Sequence, residues 1–104
     1  MKFDHVGITT DKEFPNQKYV EKTKVWITIS NEHQFPIEWL RYEPDSTVPD
    51  SVKTTPHIGY IVDSIDKQGK DLNCIIEPFI VDNRKVAFYE LSDGGIIELI
   101  EIIK

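Results

Sequence analysis

The sequence predicts an α+β fold made of two similar halves, and three observations support this prediction. A histidine opens an apolar stretch and is followed by glycine two positions later at His5–Gly7, and the same pattern returns 52 residues further on at His57–Gly59 in a chain of 104 residues. Each half closes with an apolar segment that carries a glutamate, Glu38 in the first and Glu98 in the second. Because internal repeats fix the architecture of a chain, these patterns predict one domain, residues 1–104, with two modules.

The first module, residues 1–44, is predicted to contain strands and at most one turn of helix. Asp11–Val20 is interpreted as a loop, because Pro15 interrupts any helix there and no 3.6-residue apolar period is present. On the last strand, Glu38 shares a face with Leu40 and Tyr42, opposite Trp39. The predicted strands are Phe3–Thr10, Lys24–Ser30 and Pro36–Glu43, the last two forming an antiparallel pair.

Residues 45–56 are predicted to be an extended linker, because prolines bound and interrupt them. The second module, residues 57–104, reads strand–helix–strand–strand–strand, with Ser64 as helix N-cap and Pro78 marking an edge strand. The predicted elements are the strand His57–Asp63, the helix Ser64–Leu72, the strands Asn73–Val81 and Arg84–Leu91, the turn Asp93–Gly95 and the strand Ile96–Ile103.

Composition excludes several classes of partner. The formal net charge of −6 disfavours nucleic acid and anionic membrane surfaces. The chain begins without an apolar signal segment and contains no run of about 18 apolar residues, so no membrane span is expected. With Cys74 as its single cysteine, the chain suits a reducing compartment. We therefore expect a cytoplasmic protein whose partner is a small molecule.

Four segments together resemble the vicinal oxygen chelate superfamily: Phe3–Ile8, His57–Ile65, Val86–Phe88 and Asp93–Ile100. That superfamily includes glyoxalase I, methylmalonyl-CoA epimerase, extradiol dioxygenases and the fosfomycin and bleomycin resistance proteins, and the motifs are nearest to glyoxalase and the epimerase. The resemblance implies two βαβββ modules whose sheets pair into a cup around one metal ion. Carried over position by position, it implies the metal ligands His5, Glu38, His57 and Glu98.

The first module departs from this pattern. His57 and Glu98 are 41 residues apart, whereas His5 and Glu38 are only 33 apart, and the shortfall lies where the first module should carry its helix. We therefore expect that helix to be weak or missing. Glu43 competes with Glu38 as a ligand, but the two are five residues apart, so on a regular strand only one of them faces the cup.

Two imidazoles and two carboxylates suit a divalent ion of Zn, Ni, Co, Mn or Fe. Such an ion would act as a Lewis acid that stabilises an enediolate, with Glu98 or Glu38 as the base. These residues predict a glyoxalase-like isomerase or lyase. If Glu38 is not a ligand, the remaining 2-His-1-carboxylate set suits non-haem iron and oxygen chemistry, a less favoured interpretation for so small a cup.

Two other interpretations stay open. The same cup could bind a small molecule without a metal, as resistance proteins do, or the fold could serve dimerisation alone. A histidine that opens a strand is often a hydrogen-bonded structural residue, although a buried carboxylate such as Glu98 needs a partner. In each case a homodimer is expected, because open sheet edges need covering.

Overall fold

The computed structural model describes residues 1–103, which form one eight-stranded sheet in the order β2-β3-β4-β1-β5-β8-β7-β6. The strands are β1 (Lys2–Thr9), β2 (Lys18–Val20), β3 (Val25–Ile27), β4 (Ile37–Tyr42), β5 (His57–Ile61), β6 (Asn73–Val81), β7 (Arg84–Glu90) and β8 (Ile96–Ile102), and the helices are α1 (Asp50–Thr54), α2 (Ile65–Gln68) and a 3₁₀ turn (Ser30–Glu32).

The two halves have the same topology, which confirms the predicted repeat. In the first, β1 pairs with β4 in parallel and β3 joins β4 to β2; in the second, β5 pairs with β8 in parallel and β7 joins β8 to β6. The halves meet where β1 pairs antiparallel with β5. The sheet curls into the predicted cup, and its concave face borders a cavity of about 720 Å³.

Strand alternation separates the two faces as the sequence predicts. On β7, Val86 and Phe88 line the cavity, whereas Ala87 and Tyr89 pack in the outer cluster. In the second module this outer cluster is covered by α2, whose Ile65 is 1% exposed. The helix begins at the predicted cap, Ser64, whose hydroxyl accepts a hydrogen bond from the Lys67 amide, but it ends at Gln68, earlier than expected.

The first module has no helix between β1 and β2, as its shorter length predicts. Phe14 lies there instead and stacks on Trp39, with ring centroids 5.8 Å apart. The prediction that Asp11–Val20 is a loop is wrong at its end, where β2 pairs with β3 and Tyr19 contacts Trp26. Cross-strand pairing supplies stability that the local sequence does not.

The predicted extended linker is also wrong in part. Asp50–Thr54 forms α1, which follows Pro49 and places Val52, 0% exposed, against Phe88 and Ile96. Pro49 is the N-cap of this helix, and its carbonyl accepts hydrogen bonds from the Val52 and Lys53 amides. The prediction that β6 is an edge strand is confirmed. Within residues 1–103, no helix has the length and apolar character that crossing a bilayer demands.

Candidate metal centre

Each of the four central strands of the sheet carries one of the four predicted metal ligands. They carry Glu38 on β4, His5 on β1, His57 on β5 and Glu98 on β8, and all four side chains line the cavity. His5, His57 and Glu98 are almost fully buried, with relative exposures of 2%, 1% and 8%. The structure therefore brings together all four side chains that the sequence singled out.

Three of these side chains form a tight triangle. His5 Nε2 lies 3.2 Å from His57 Nε2 and 3.2 Å from Glu98 Oε1, and His57 Nε2 lies 3.0 Å from the same carboxylate oxygen. Glu38 Oε1 lies 3.8 Å from His5 Nε2. Ligand atoms of His5, Glu38 and His57 all lie within 4.8 Å of one another.

These separations suit one small cation. Nitrogen and oxygen ligands bound at about 2.0–2.2 Å to a single ion lie roughly 2.9–3.5 Å apart when they are adjacent. The 3.0–3.2 Å edges of the triangle fall in this range. The donor set of imidazole and carboxylate also suits first-row divalent metals. The cluster of His5, Glu38 and His57, with Glu98 beside it, could hold such an ion.

The glycines of the two His-x-Gly motifs make room for the opposite histidine. In the antiparallel β1–β5 pair, His5 is opposite Gly59 and Gly7 is opposite His57. A Cβ atom on Gly59 would lie 2.5 Å from His5 Cε1, and one on Gly7 would lie 2.1 Å from His57 Cε1. Each module therefore supplies a histidine and the space that the other module's histidine occupies.

A β-bulge places one further acidic residue on the concave side. The register of β1 against β5 shifts between Phe3 and His5, so that Asp4 is the extra residue. Bulges re-aim side chains, and here two consecutive residues reach the same side of the sheet. His5 Nδ1 donates to Asp4 Oδ2 at 2.8 Å, and Arg84 Nη1 donates to the same oxygen at 3.0 Å.

The electrostatics of the cluster follow from burial and these contacts. Burial opposes a charge on His5, but its hydrogen bonds to Asp4 and Glu98 outweigh this and raise its pKa to about 10. For Asp4, the hydrogen bond from His5 leads the effects that lower its pKa to about 2, with Arg84 adding to them.

The pKa values of Glu38 and Glu98 are shifted in opposite directions. Burial raises the pKa of Glu38 well above its usual range. Burial also opposes ionisation of Glu98, but the His5 and His57 rings outweigh it and hold its pKa below the usual range. In the metal-free protein Glu98 is thus the ionised acid of the pair and Glu38 the one that retains a proton more readily.

The rest of the cavity is lined mainly by apolar side chains with a polar mouth. The walls come from both modules and include Val25 and Leu40 on one side and Val86 and Phe88 on the other. At the mouth an ion pair joins Lys18 of β2 to Asp82 of the β6–β7 turn, so it bridges the two ends of the sheet order. The cluster therefore lies between apolar walls.

The structure also shows which of two candidate glutamates on β4 and just after it faces the cavity, and it adds residues that the sequence did not indicate. Glu38 rather than Glu43 faces the cavity; the Glu43 carboxylate accepts a hydrogen bond from Trp26 Nε1 at 2.6 Å. His33 is exposed and lines the cavity. Sequence reasoning missed Asp4 because regular alternation would point it away from His5. It missed Arg84 because no local pattern links residues 80 apart.

A comparison with protein-family models finds no match. A comparison with curated proteins finds none either. Among solved structures, the chain is similar to methylmalonyl-CoA epimerase from Mycobacterium tuberculosis, with a TM-score of 0.68 and 14% sequence identity over 99% of this chain and 89% of that one. It also matches a glyoxalase family protein from Bacillus cereus, with a TM-score of 0.43 and 14% identity over 100% of this chain and 95% of that one.

Proposed function

Since the chain has the fold of the vicinal oxygen chelate superfamily, we propose that it is a glyoxalase-like, metal-dependent isomerase or lyase. Its substrate would be a small molecule that chelates through two neighbouring oxygens. The observation that carries this proposal is the triangle of His5, His57 and Glu98, whose ligand atoms are 3.0–3.2 Å apart at the base of the cavity.

The residues that would hold the metal are His5, His57 and Glu98, with Glu38 as a fourth ligand. Zn, Ni, Co, Mn and Fe all suit this donor set. When bound, such an ion polarises a substrate carbonyl and increases the acidity of the neighbouring C–H bond. The buried position of the cluster strengthens every electrostatic interaction made there, because little water remains to screen it.

Either of the two glutamates would move the proton only when it is not bound to the metal. They lie on β4 and β8, on either side of the strands that carry the histidines. Glu38 is the better placed base, because its carboxylate makes no hydrogen bond within residues 1–103 and its pKa is raised towards the working range of a general base. Glu98, bonded to both histidines, is the second candidate and could return the proton from the other side.

The cavity favours a compact substrate with an apolar body. Its volume of about 720 Å³ is in the usual range for small-molecule sites. Leu40, Val86 and Phe88 would contact the body of the substrate and exclude water from the reacting atoms. The polar groups available to orient its oxygens include those of the metal cluster and the Tyr42 hydroxyl, since Tyr42 also lines the cavity.

The test begins with metal content. Protein purified without chelators, then incubated with Zn, Ni, Mn or Fe(II), should carry about one ion per chain by elemental analysis. His57→Ala and Glu98→Gln should each lose that ion. His33→Ala is the matched control, because His33 is exposed and lies outside the cluster. If the protein takes up none of these metals, the proposal of a metal-dependent enzyme is refuted.

Activity is tested next by following exchange of the C–H proton beside a carbonyl in heavy water, over a panel of 2-oxo and 2-hydroxy compounds. Glu38→Gln should slow exchange by about 10²–10⁴-fold if Glu38 is the base. Retained exchange in Glu38→Gln together with lost exchange in Glu98→Gln would transfer the role to Glu98.

A second function, metal-free binding of a small molecule, is favoured by one observation. The Nε2 atoms of His5 and His57 and the Glu98 carboxylate make hydrogen bonds with one another without an ion. A binding protein of this kind would contain no metal but would be stabilised against heat by its ligand. Glu98→Gln would then change ligand affinity little, whereas it abolishes the function of a metal enzyme.

We also propose that the protein is a homodimer. Phe3 and Ile58 on the central strands β1 and β5 are 45% and 37% exposed, which is high for apolar side chains at the middle of a sheet. Light scattering should give twice the chain mass of 12.1 kDa. Ile58→Lys should shift the protein to monomer, and a monomeric parent protein would refute the proposal.

A further inference from the structure

We propose that Asp4 and Arg84 are positioning residues that orient His5 for metal binding, and that His57 has no equivalent pair among residues 1–103. This inference rests on the proposed metal site. It concerns the way in which the two histidines of a repeated motif differ, because each repeat supplies one imidazole but only the first supplies a carboxylate to hold it.

The bulge in β1 is what brings Asp4 to His5. Without it, neighbouring side chains on a strand point to opposite faces and Asp4 would lie outside the cup. With it, the Asp4 carboxylate reaches His5 Nδ1 at 2.8 Å while Nε2 of the same ring lies in the cluster. A carboxylate can only accept, so Nδ1 carries a proton, and Nε2 is the nitrogen that the ring presents to the ligand position.

Arg84 fixes Asp4 from the other module. Arg84 opens β7 in the second half, and its Nη1 donates to Asp4 Oδ2 at 3.0 Å. One oxygen of the Asp4 carboxylate therefore accepts hydrogen bonds from both His5 and Arg84. These two bonds restrain the position of the carboxylate and favour its ionised form. The orientation of a ligand on β1 thus depends on a residue from the opposite side of the cup.

His57 is held differently. The position that corresponds to Asp4 is Pro56, which has no side-chain acceptor. His57 Nδ1 is buried and has no hydrogen-bond partner within residues 1–103. The ring is instead fixed by packing against Phe88, edge to face with centroids 5.1 Å apart, and against the backbone at Gly7.

This difference has a consequence for metal binding. An ion bound at Nε2 requires the proton of a neutral imidazole to be on Nδ1. For His5 that proton has an acceptor, whereas for His57 it would be buried without one, at a cost. His5 is therefore the stronger ligand, and its advantage depends on Asp4.

The first measurement uses the metal-free protein and proton NMR of the imidazole N–H groups. His5 Hδ1 should give a downfield resonance that exchanges slowly with water, because it is buried and bonded to a carboxylate. Asp4→Ala should abolish this resonance, and Asp45→Asn should leave it unchanged. Asp45 is the matched control, since it forms an ion pair with Lys24 that does not contact the cluster.

The second measurement is Zn²⁺ affinity by competition with a chromogenic chelator. Asp4→Ala should bind Zn²⁺ about 10–100-fold more weakly than the parent protein, as is typical of residues that orient metal ligands. Arg84→Gln should weaken binding less, and it should add nothing to Asp4→Ala in the double variant, because Arg84 acts through Asp4.

The outcomes separate this inference from the proposed function. A parent protein that shows the protected His5 Hδ1 resonance but binds no Zn²⁺ supports the positioning geometry and refutes the metal enzyme. Zn²⁺ affinity within twofold of the parent in Asp4→Ala refutes the positioning role and leaves the metal site standing. If Asp4→Ala does not fold, Arg84→Gln decides, and unchanged affinity with an unchanged Hδ1 resonance overturns the proposal.

Discussion

The two modules have the same strand order and contribute matching side chains to the cup, yet they are covered in different ways. In the second module the outer face of the sheet packs against α2 through Ile65, Ala87 and Leu99. In the first module, which is eight residues shorter between its histidine and its glutamate, Phe14 stacks on Trp39 where a helix would lie.

The positions of the site residues therefore depend on strand register rather than on the layer that covers the outer face of the sheet. The register places Glu98 beside Gly59 and Glu38 beside Gly7, so both glutamates stand next to the β1–β5 pair on the concave side. Neither contact involves α2 or Phe14. A module can therefore lose its helix and still present its glutamate to the cluster.

Substitutions in the outer layers of the two modules should have the largest effect on the free energy of unfolding. Ile65→Ala should lower the free energy of unfolding by about 2–5 kcal/mol, because Ile65 is 1% exposed and its loss leaves a cavity. Phe14→Ala should cost only about 1–2 kcal/mol, because Phe14 is half-buried and loses mainly one aromatic contact. Urea unfolding of both variants measures the difference. Equal costs would show that the short cover of the first module is as important as the helix.

Substitutions at the glycines of the two His-x-Gly motifs should have the next largest effect, because each glycine makes room for the histidine of the other module. Gly7→Ala and Gly59→Ala should each cost about 1–3 kcal/mol and weaken metal binding, because the added methyl overlaps a buried histidine ring. Gly95→Ala is the control, since its nearest contacts are at 3.3 Å and lie outside the cluster. If either motif accepts alanine without loss, the interlocking of the two modules is not what fixes the histidines.

The repeat could be predicted because local sequence patterns indicate it. The His-x-Gly motifs and the shortfall in the first module predict the repeated sheet and the missing helix. A common face for Glu38 and Tyr42 likewise follows from a period of two along the strand. Such signals need only neighbouring residues.

What could not be predicted depends on contacts between distant residues. The bulge at Asp4 changes a side chain's face without any sign in the sequence, and Arg84 reaches Asp4 from 80 residues away. The helix α1 forms in a proline-rich linker because Val52 is buried against Phe88. In each case tertiary packing overrides the local propensity.

A smaller effect concerns pH, and it distinguishes the metal-free protein from the metal-bound one. The His5 pKa of about 10 lies above the value of 6.5 expected for the unfolded chain. Its protonation therefore stabilises the metal-free fold fully below pH 6.5, and this stabilisation is lost as pH rises towards 10. Zn²⁺ must displace the same proton, so its affinity should rise over that window.

These opposite trends can be measured by urea unfolding and by calorimetric titration in buffers of different ionisation enthalpy. We expect release of at least about one proton per Zn²⁺ at pH 7.5. Asp4→Ala should flatten both trends, because the raised His5 pKa depends on the Asp4 hydrogen bond. Metal-free stability that increases between pH 7 and 9 would contradict the assigned charge of His5.

The smallest expected effect concerns the ion pair that joins the two ends of the sheet. Lys18 and Asp82 are 33% and 70% exposed, so Lys18→Gln should cost less than about 1 kcal/mol, and less still in high salt. Lys24→Gln, which removes the exposed Lys24–Asp45 pair, is the matched control, because that pair does not bridge the cup.

The two variants should differ in local opening rather than in global stability. Loss of the Lys18–Asp82 bridge frees the edge strand β2 from the β6–β7 turn, so the β2 amides should exchange faster with solvent in Lys18→Gln than in Lys24→Gln. Equal exchange in the two variants would mean that the ion pair does not hold the modules together at the mouth. The cup would then be closed by other contacts between the modules, such as the β1–β5 pairing and the Asp4–Arg84 hydrogen bond.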